Sequence, residues 1–566
     1  MKNTNITKVN TNTNHKGEIT MKKKTMKTRI IAAILAVITS VSATALAATS
    51  ASAAEATAPA ETSASATEAT APAETSASAT EATAPAETSA SATETDKEAQ
   101  KAAQKKKDFE ELSKAKDGKE ALEIYQKIYD RMDAEAKAPK PDPIDHKGMT
   151  TVKTQNEEKD YATFEEALAQ AIEAKNASIK LHAEQNSLTG QTIPAGCDIN
   201  IDLNGFSMHA QGTTFTVNEG GVLHVSNGFF SGTESAVKAN GAVYLDKLII
   251  RNATTSAVNV AQGVTGVITN CTFEWNSGER GGAIYMPGFG NCSLIENNTF
   301  EDNRATKEGG AVYTSTPIKH CTFKYNKSDS NGGAVYYGRS NESIHHCTFE
   351  GNSAAGNGGA LYLSESNELP DNIFKDNHSD RSGGAIYTPD YTDQKILFSK
   401  FYRNTANGSG GGIYIGDHSR LEAIVLTLTG NEANYRGGAI YLGALSETDH
   451  YFDATTITNN KAPTAGGVYC DAGFGKAADV YLNRDIIVKD NENGNFYLVK
   501  DYGKKAVLYT TKSFFNDQSC VYVNSSESGE RAVVSLEEKY HENAFHGDNG
   551  RALERGTLHN YTLYIQ

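Results

Sequence analysis

The chain is 566 residues long, with a formal net charge of −15, seven Cys and one Trp. Residues 1–30 hold eight Lys/Arg against one Glu, so the remainder carries about −22. That balance opposes nucleic acid or anionic lipid as a partner, and the Cys are spread without the paired spacing of a metal module.

Residues 1–20 are polar and unpatterned: an upstream misread start or an extended n-region. The codons of Gly17-Glu18 can spell a ribosome-binding purine run just ahead of Met21, which favours Met21 as the true start. Residues 21–53 have a basic start, an apolar run from Ile30 to Val41, and the small-residue sites Ala45-Leu46-Ala47 and Ala51-Ser52-Ala53. This is the pattern of a secretory signal peptide, so the protein is expected to be extracellular, secreted or tethered by its N-terminus to the cell surface. No second apolar span follows, and the mature chain crosses no membrane unless the signal segment is retained.

Residues 54–96 contain three identical 13-residue copies starting at Glu55, Glu68 and Glu81, built from Ala, Thr, Ser, Pro and Glu. With no aromatic or branched aliphatic residue to bury, such a tract cannot offset chain entropy, and a disordered linker is expected. Over 97–135, Phe109, Leu112, Leu122, Tyr125, Tyr129 and Met132 recur at helical spacing, as in a short stalk. Pro139, Pro141 and Pro143 place a second linker at 136–150.

From residue 151 the chain turns to strands. Thr163 and Glu166 form a capping box, predicting a helix of about three turns that shields the first sheet edge. Gly281-Gly282-Ala283-Ile284-Tyr285 is then rewritten in variants ending at Tyr313, Tyr336, Tyr362, Tyr387, Tyr414, Tyr441 and Tyr469, 23 to 28 residues apart. Between copies runs an apolar residue, two variable ones and Asn, giving Asn276, Asn303, Asn326, Asn352, Asn377, Asn404, Asn431, Asn460 and Asn491. A period of this length made of short β-branched and aromatic runs broken by Gly, Asn and Ser is one coil of a solenoid. The fold class is therefore all-β, a right-handed parallel β-helix over 151–490. It has room for roughly twelve turns stacked about 4.8 Å apart, and residues 491–566 form a β cap.

Alternation along each strand puts Phe273, Phe300, Phe323, Phe349, Phe374 and Phe401 inside, with Cys271, Asn298, Cys321, Cys347 and Asn372 as the next internal row. The nine Asn suit a left-handed turn position with an amide ladder between coils, and the Gly pairs suit a bend without room for a side chain. Cys321 and Cys347 stand in adjacent coils, close enough for a disulfide or for two buried thiols. The eight Tyr are the one ambiguous row. Facing solvent, they would form an aromatic ladder for sugars or a partner; facing inward, they are core. Alternation puts them opposite the aliphatic row, hence outward.

The Gly-Gly-Ala-(Ile/Val/Leu) and Phe-x-x-Asn pair over residues 270–491 resembles the repeat of the chlamydial polymorphic outer-membrane proteins, surface adhesins of the broader pectin-lyase-like class. The resemblance implies an extracellular β-helix displayed for contact with other surfaces. About 75 residues follow Asn491, too few for those proteins' transmembrane barrel, so their display mechanism is not expected here.

Pectin-lyase-like folds also host polysaccharide lyases and hydrolases, but their NTD, DD, GHG and R-x-K strings are absent. The nearest catalytic candidates are Asp417-His418-Ser419-Arg420 and Asp449-His450. His320-Cys321 and His346-Cys347 suggest a metal, yet neighbouring strand residues face opposite ways and cannot share one ion. The expected function is non-catalytic adhesion or surface interaction, with surface glycans or proteins of another cell as partners and no metal or cofactor. A carbohydrate-active enzyme, or a saccharide-binding module without turnover, is the alternative.

Overall fold

The structure is a computed structural model. It describes residues 150–511 apart from 156, 289–291, 339–343, 445–448, 472–478, 502–503 and 506, and then residues 519–525, 533–535, 544–547, 553–555 and 562–565. The signal segment, repeat linker and helical stalk expected before residue 150 lie outside the described residues.

The entry is built as its capping box dictates. The Thr163 side chain accepts a hydrogen bond from the Glu166 N–H at 3.2 Å, and an 11-residue helix, Phe164–Ala174, follows. Its Phe164, Ala167, Leu168 and Ala171 are buried, and the Phe164 ring meets Phe215 edge-on at 6.2 Å. The first edge is covered a second time by strand Thr150–Lys153, which runs antiparallel to Glu158–Tyr161 and to Asn176–Leu181. An antiparallel strand here occupies backbone groups that a parallel edge would leave open to another chain.

The chain then winds as an all-β solenoid of about 12 turns. Coil after coil adds parallel strands in register. Phe273, Phe300, Phe323, Phe349, Phe374 and Phe401 pair in sequence, and Leu428, Ile457 and Val488 continue the row. All six Phe are fully buried, their rings stacked 4.7–5.0 Å apart. The Cys271, Asn298, Cys321, Cys347 and Asn372 row is buried beside them. Parallel pairing runs past residue 490, where Phe496–Leu498 meets Val523–Ser525. The far end is finished by Thr562–Ile565, antiparallel to both Val533–Ser535 and Leu553–Arg555.

Each Asn of the repeat is a four-way connector. Asn352 Nδ2 donates to the Phe323 carbonyl and to Asn377 Oδ1, both at 3.0 Å. Its Oδ1 accepts from the Asn326 backbone N–H and Nδ2, again at 3.0 Å. The same set recurs from Asn303 to Asn491; Asn276 opens the ladder with its Oδ1 accepting the Ala253 N–H, and Asn495 ends it by accepting from Asn491 N–H and Nδ2. One expectation needs correction: the left-handed residue is not the Asn but the one before it. Trp275, Asp302, Tyr325, Gly351, Asp376, Arg403, Gly430, Asn459 and Asp490 all have φ between 52° and 68°. The preceding residue makes the bend so that the Asn amide can turn inward along the rod axis. A second bend behaves alike, with Asn270, Asn297, His320, His346, Asp371, Phe398, Val425 and Ala454 in the left-handed region. It precedes a mixed internal ladder in which Asn298 accepts from Cys271 N–H and Ser399 from Asn372 N–H.

Candidate functional site

The tyrosine row is where alternation puts it. In Ile284–Met286 and its counterparts the aliphatic residues are buried while the Tyr between them faces out. Tyr285, Tyr313, Tyr336, Tyr362, Tyr387, Tyr414, Tyr441 and Tyr469 pair in strict register and extend to Tyr497. Register at strand spacing has a further effect, however. The rings lie on one another with centroids 4.6–5.6 Å apart, so each flat face is taken by the next Tyr. Arg280 and Arg436 lie over Tyr313 and Tyr469. Tyr441 and Tyr469 are buried, and the Tyr441 hydroxyl donates to Asp471 at 2.5 Å. Burial pushes the phenols of Tyr313, Tyr362, Tyr387, Tyr414, Tyr441 and Tyr469 up, those of Tyr362 and Tyr469 to about 12. What the row offers a partner is ring edges and hydroxyls rather than stacking faces.

The residues that sequence offered as catalytic candidates are engaged in holding backbone. Asp417 Oδ1 accepts the Ala444 N–H at 3.0 Å, and Asp390 does the same for the Asp417 N–H at 2.8 Å. Burial raises the Asp417 carboxyl, with Asp390 and Asp471 adding to it and the Ala444 N–H opposing. Ser419 is buried, accepts the Thr392 N–H and donates to the Asp417 and Pro389 carbonyls. His418 lies in a left-handed bend with its ring stacked 4.7 Å from Tyr391. Arg420 pairs with Asp393 and Glu422. His450 is fully buried, and its Nδ1 accepts the Leu421 N–H at 3.1 Å.

His450 gives a pH prediction. Burial, with Arg420 adding to it, lowers its imidazole from 6.5 to about 3. The unfolded chain takes up this proton near 6.5 and the folded chain only near 3. Stability is therefore lost as pH falls through that window, at up to about 1.4 kcal/mol per pH unit. Thermal melts at pH 7, 6, 5 and 4 should show a steeper loss for the native chain than for His450→Gln, whose amide oxygen can take the same N–H. Parallel curves would refute the assignment.

The exposed charges form ladders between coils: Arg304 with Asp329 at 2.9 Å, Lys307 with Glu279 at 2.6 Å, Arg403 with Asp376 at 2.7 Å, and Lys375 with Glu350. They neutralise one another locally, as the mixed signs after each Phe suggest. Cys321 and Cys347 are free buried thiols, and Cys347 Sγ accepts the Cys321 N–H at 3.4 Å. The His320 and His346 side chains are exposed while these thiols are buried, so the His and Cys point apart as alternation requires.

A group that sequence reasoning missed breaks a local rule. Trp275 (φ 53°), Tyr325 (φ 55°), Phe398 (φ 50°) and Tyr391 (φ 63°) all adopt left-handed backbone. They are also 54%, 53%, 52% and 75% exposed, respectively. In other coils the bend of Trp275 and Tyr325 is filled by Asp302, Gly351, Asp376, Arg403, Gly430, Asn459 or Asp490, all but Arg403 residue types that accept this conformation at low cost. Trp275 and Tyr325 share one bend; Phe398 and the partly exposed Val425 share the other. The available signal was a large aromatic residue immediately before a ladder residue, as in Phe273-Glu274-Trp275-Asn276.

Residues 236–401 match the family model described as "Right handed beta helix region". No curated protein matches the chain. The matched stretch runs from the strand Ser235–Ala239 through the last of the six Phe coils, which is also where Trp275, Tyr325, Tyr391 and Phe398 are found.

Proposed function

We propose that this β-helix is non-catalytic and acts in adhesion or surface interaction, engaging surface glycans or proteins of another cell through the aromatic residues at its bends. The observation that carries the reading is the pairing of left-handed backbone with exposure at Trp275, Tyr325, Tyr391 and Phe398. Left-handed backbone costs a side-chain-bearing residue about 1–2 kcal/mol, and leaving a ring in water forgoes its burial energy. The backbone does not require a ring at Trp275 or Tyr325, because other coils make the same bend with Asp, Asn or Gly. Locally unfavourable choices of this kind are expected where a side chain is kept for contact with something else. Exposed aromatic rings suit saccharides and protein partners alike.

The export signal, the repeat tract that would hold the rod off a surface, and the likeness of the repeat to chlamydial surface adhesins support the same reading. The enzyme alternative rests on Asp417, whose carboxyl is raised by burial near Asp390 and Asp471. A glycan-array screen of the full chain, with a reducing-end assay on every polymer bound, separates the two. Binding without new reducing ends is the expected result. Cleavage of any bound polymer would overturn the non-catalytic reading and direct attention to Asp417.

A further inference from the structure

We infer that His320, His345 and His346 form a binding site for a divalent first-row metal ion of the zinc type. One ring nitrogen from each lies within 4.8 Å of the other two. The three come from two adjacent coils. His320 and His346 occupy the same left-handed bend one coil apart, with φ of 51° and 55°, and their rings are 4.8 Å apart. His345 pairs in register with Lys319, directly before His320. Coil stacking therefore gathers residues 25 and 26 positions apart in sequence, through a register that the Cys321 and Cys347 pair below them also obeys.

His345 Nδ1 and His346 Nδ1 approach to 2.8 Å, so one imidazole holds a proton that the other accepts. Zinc–nitrogen bonds of about 2.0–2.1 Å in a tetrahedron set ligand nitrogens about 3.3 Å apart. The pair need separate only slightly, and the exposed His320 ring need swing by about 1–1.5 Å, to meet that geometry. On binding, the proton on Nδ1 moves through solvent to Nε2 of the same neutral ring, and both Nδ1 lone pairs face the ion. His346 Nε2 already lies 3.6 Å from Asp371 Oδ2. This is the arrangement in which a carboxylate orients a metal-bound imidazole from behind. Lys319, beside His320 in sequence, pairs in register with Glu296. Three imidazoles with no thiolate suit zinc, copper or nickel, and leave a fourth position open to solvent or to a partner's donor.

The test is titration of the metal-free full chain with zinc chloride, read by calorimetry and by counting bound zinc after dialysis. One zinc should bind in the micromolar range. His345→Gln and the pair His320→Gln/His346→Gln should each weaken binding by at least tenfold, and Asp371→Asn by about tenfold. Cobalt(II) loaded in place of zinc should give visible absorption bands that these variants abolish, a signature that a purely structural role would not produce. Circular dichroism checks that each variant retains its strands. No zinc bound to the native chain, or affinity unchanged in the His variants, would overturn the assignment.

Discussion

Gly333→Ala is expected to be among the most damaging single substitutions in the rod, costing about 4 kcal/mol or more. Gly333 is the second Gly of its pair, and its backbone is not left-handed, so conformational freedom is not what it supplies. It supplies space. A Cβ there would stand 2.0 Å from the Gly359 carbonyl oxygen and 2.6 Å from the Ser353 carbonyl carbon. Both are backbone atoms of the next coil. Neither can move without opening the hydrogen bond from Gly333 N–H to the Gly358 carbonyl, which is 3.0 Å long. The same collision recurs at Gly310, Gly359 and Gly384, each with a carbonyl of the next coil 2.0–2.1 Å away, so the defect cannot be relieved by sliding one coil. Gly263→Ala is the internal comparison: φ is +78° but nothing lies within 4 Å, and only the backbone penalty of about 1–2 kcal/mol applies. Chemical unfolding of the two variants should separate by several kcal/mol; equal losses would show that the Gly pairs are kept for conformation alone.

Asn352→Leu should be nearly as costly, about 4 kcal/mol, although it adds apolar volume to a core. The substitution leaves the Asn326 N–H and one Asn326 Nδ2 hydrogen without a partner, and takes an amide donor from the Phe323 carbonyl and from Asn377. Each buried group left without a partner costs about 1–3 kcal/mol. Asn352 stands mid-ladder, and stacked coils interact mainly with their neighbours. Unfolding should therefore lose cooperativity and split into two steps, with protease cutting first near residues 351–353. A single transition with an unchanged midpoint would mean that the ladder adds nothing beyond the Phe stack beside it.

The repeats made the fold readable because a coil must reproduce its neighbour wherever two backbones touch. The Phe row, the Gly pairs and the amide ladder are all consequences of that contact, and all were legible. The misplacement of the left-handed residue has a physical source. Asn tolerates that conformation, but here its amide is needed inside, and the bend falls to the variable residue before it, such as Trp275 or Arg403. The outward direction of the tyrosines followed from alternation. Their closed faces did not, because ring-to-ring spacing is a property of the stack and not of any one strand. Ser419 and His450 looked like chemistry in the sequence because nothing there shows that they point inward to meet the Thr392 and Leu421 N–H groups. The bend aromatics escaped notice for the opposite reason: they occur in one or two coils only, and a search for periodicity passes over what is not repeated. His320 and His346 were singled out, but were weighed only with the Cys beside them and not with His345.

The most direct measurement is binding by the full chain in which Trp275, Tyr325, Tyr391 and Phe398 are all replaced by Asn. Each replacement relaxes a left-handed bend, so the variant should melt no lower than the native chain, and it should lose at least tenfold in affinity for whichever glycan or cell surface the native chain binds. Function lost while stability is kept or gained is the signature expected of residues retained for contact. Undiminished binding by the variant would contradict the central claim, and would return the search to the hydroxyl edge of the tyrosine row.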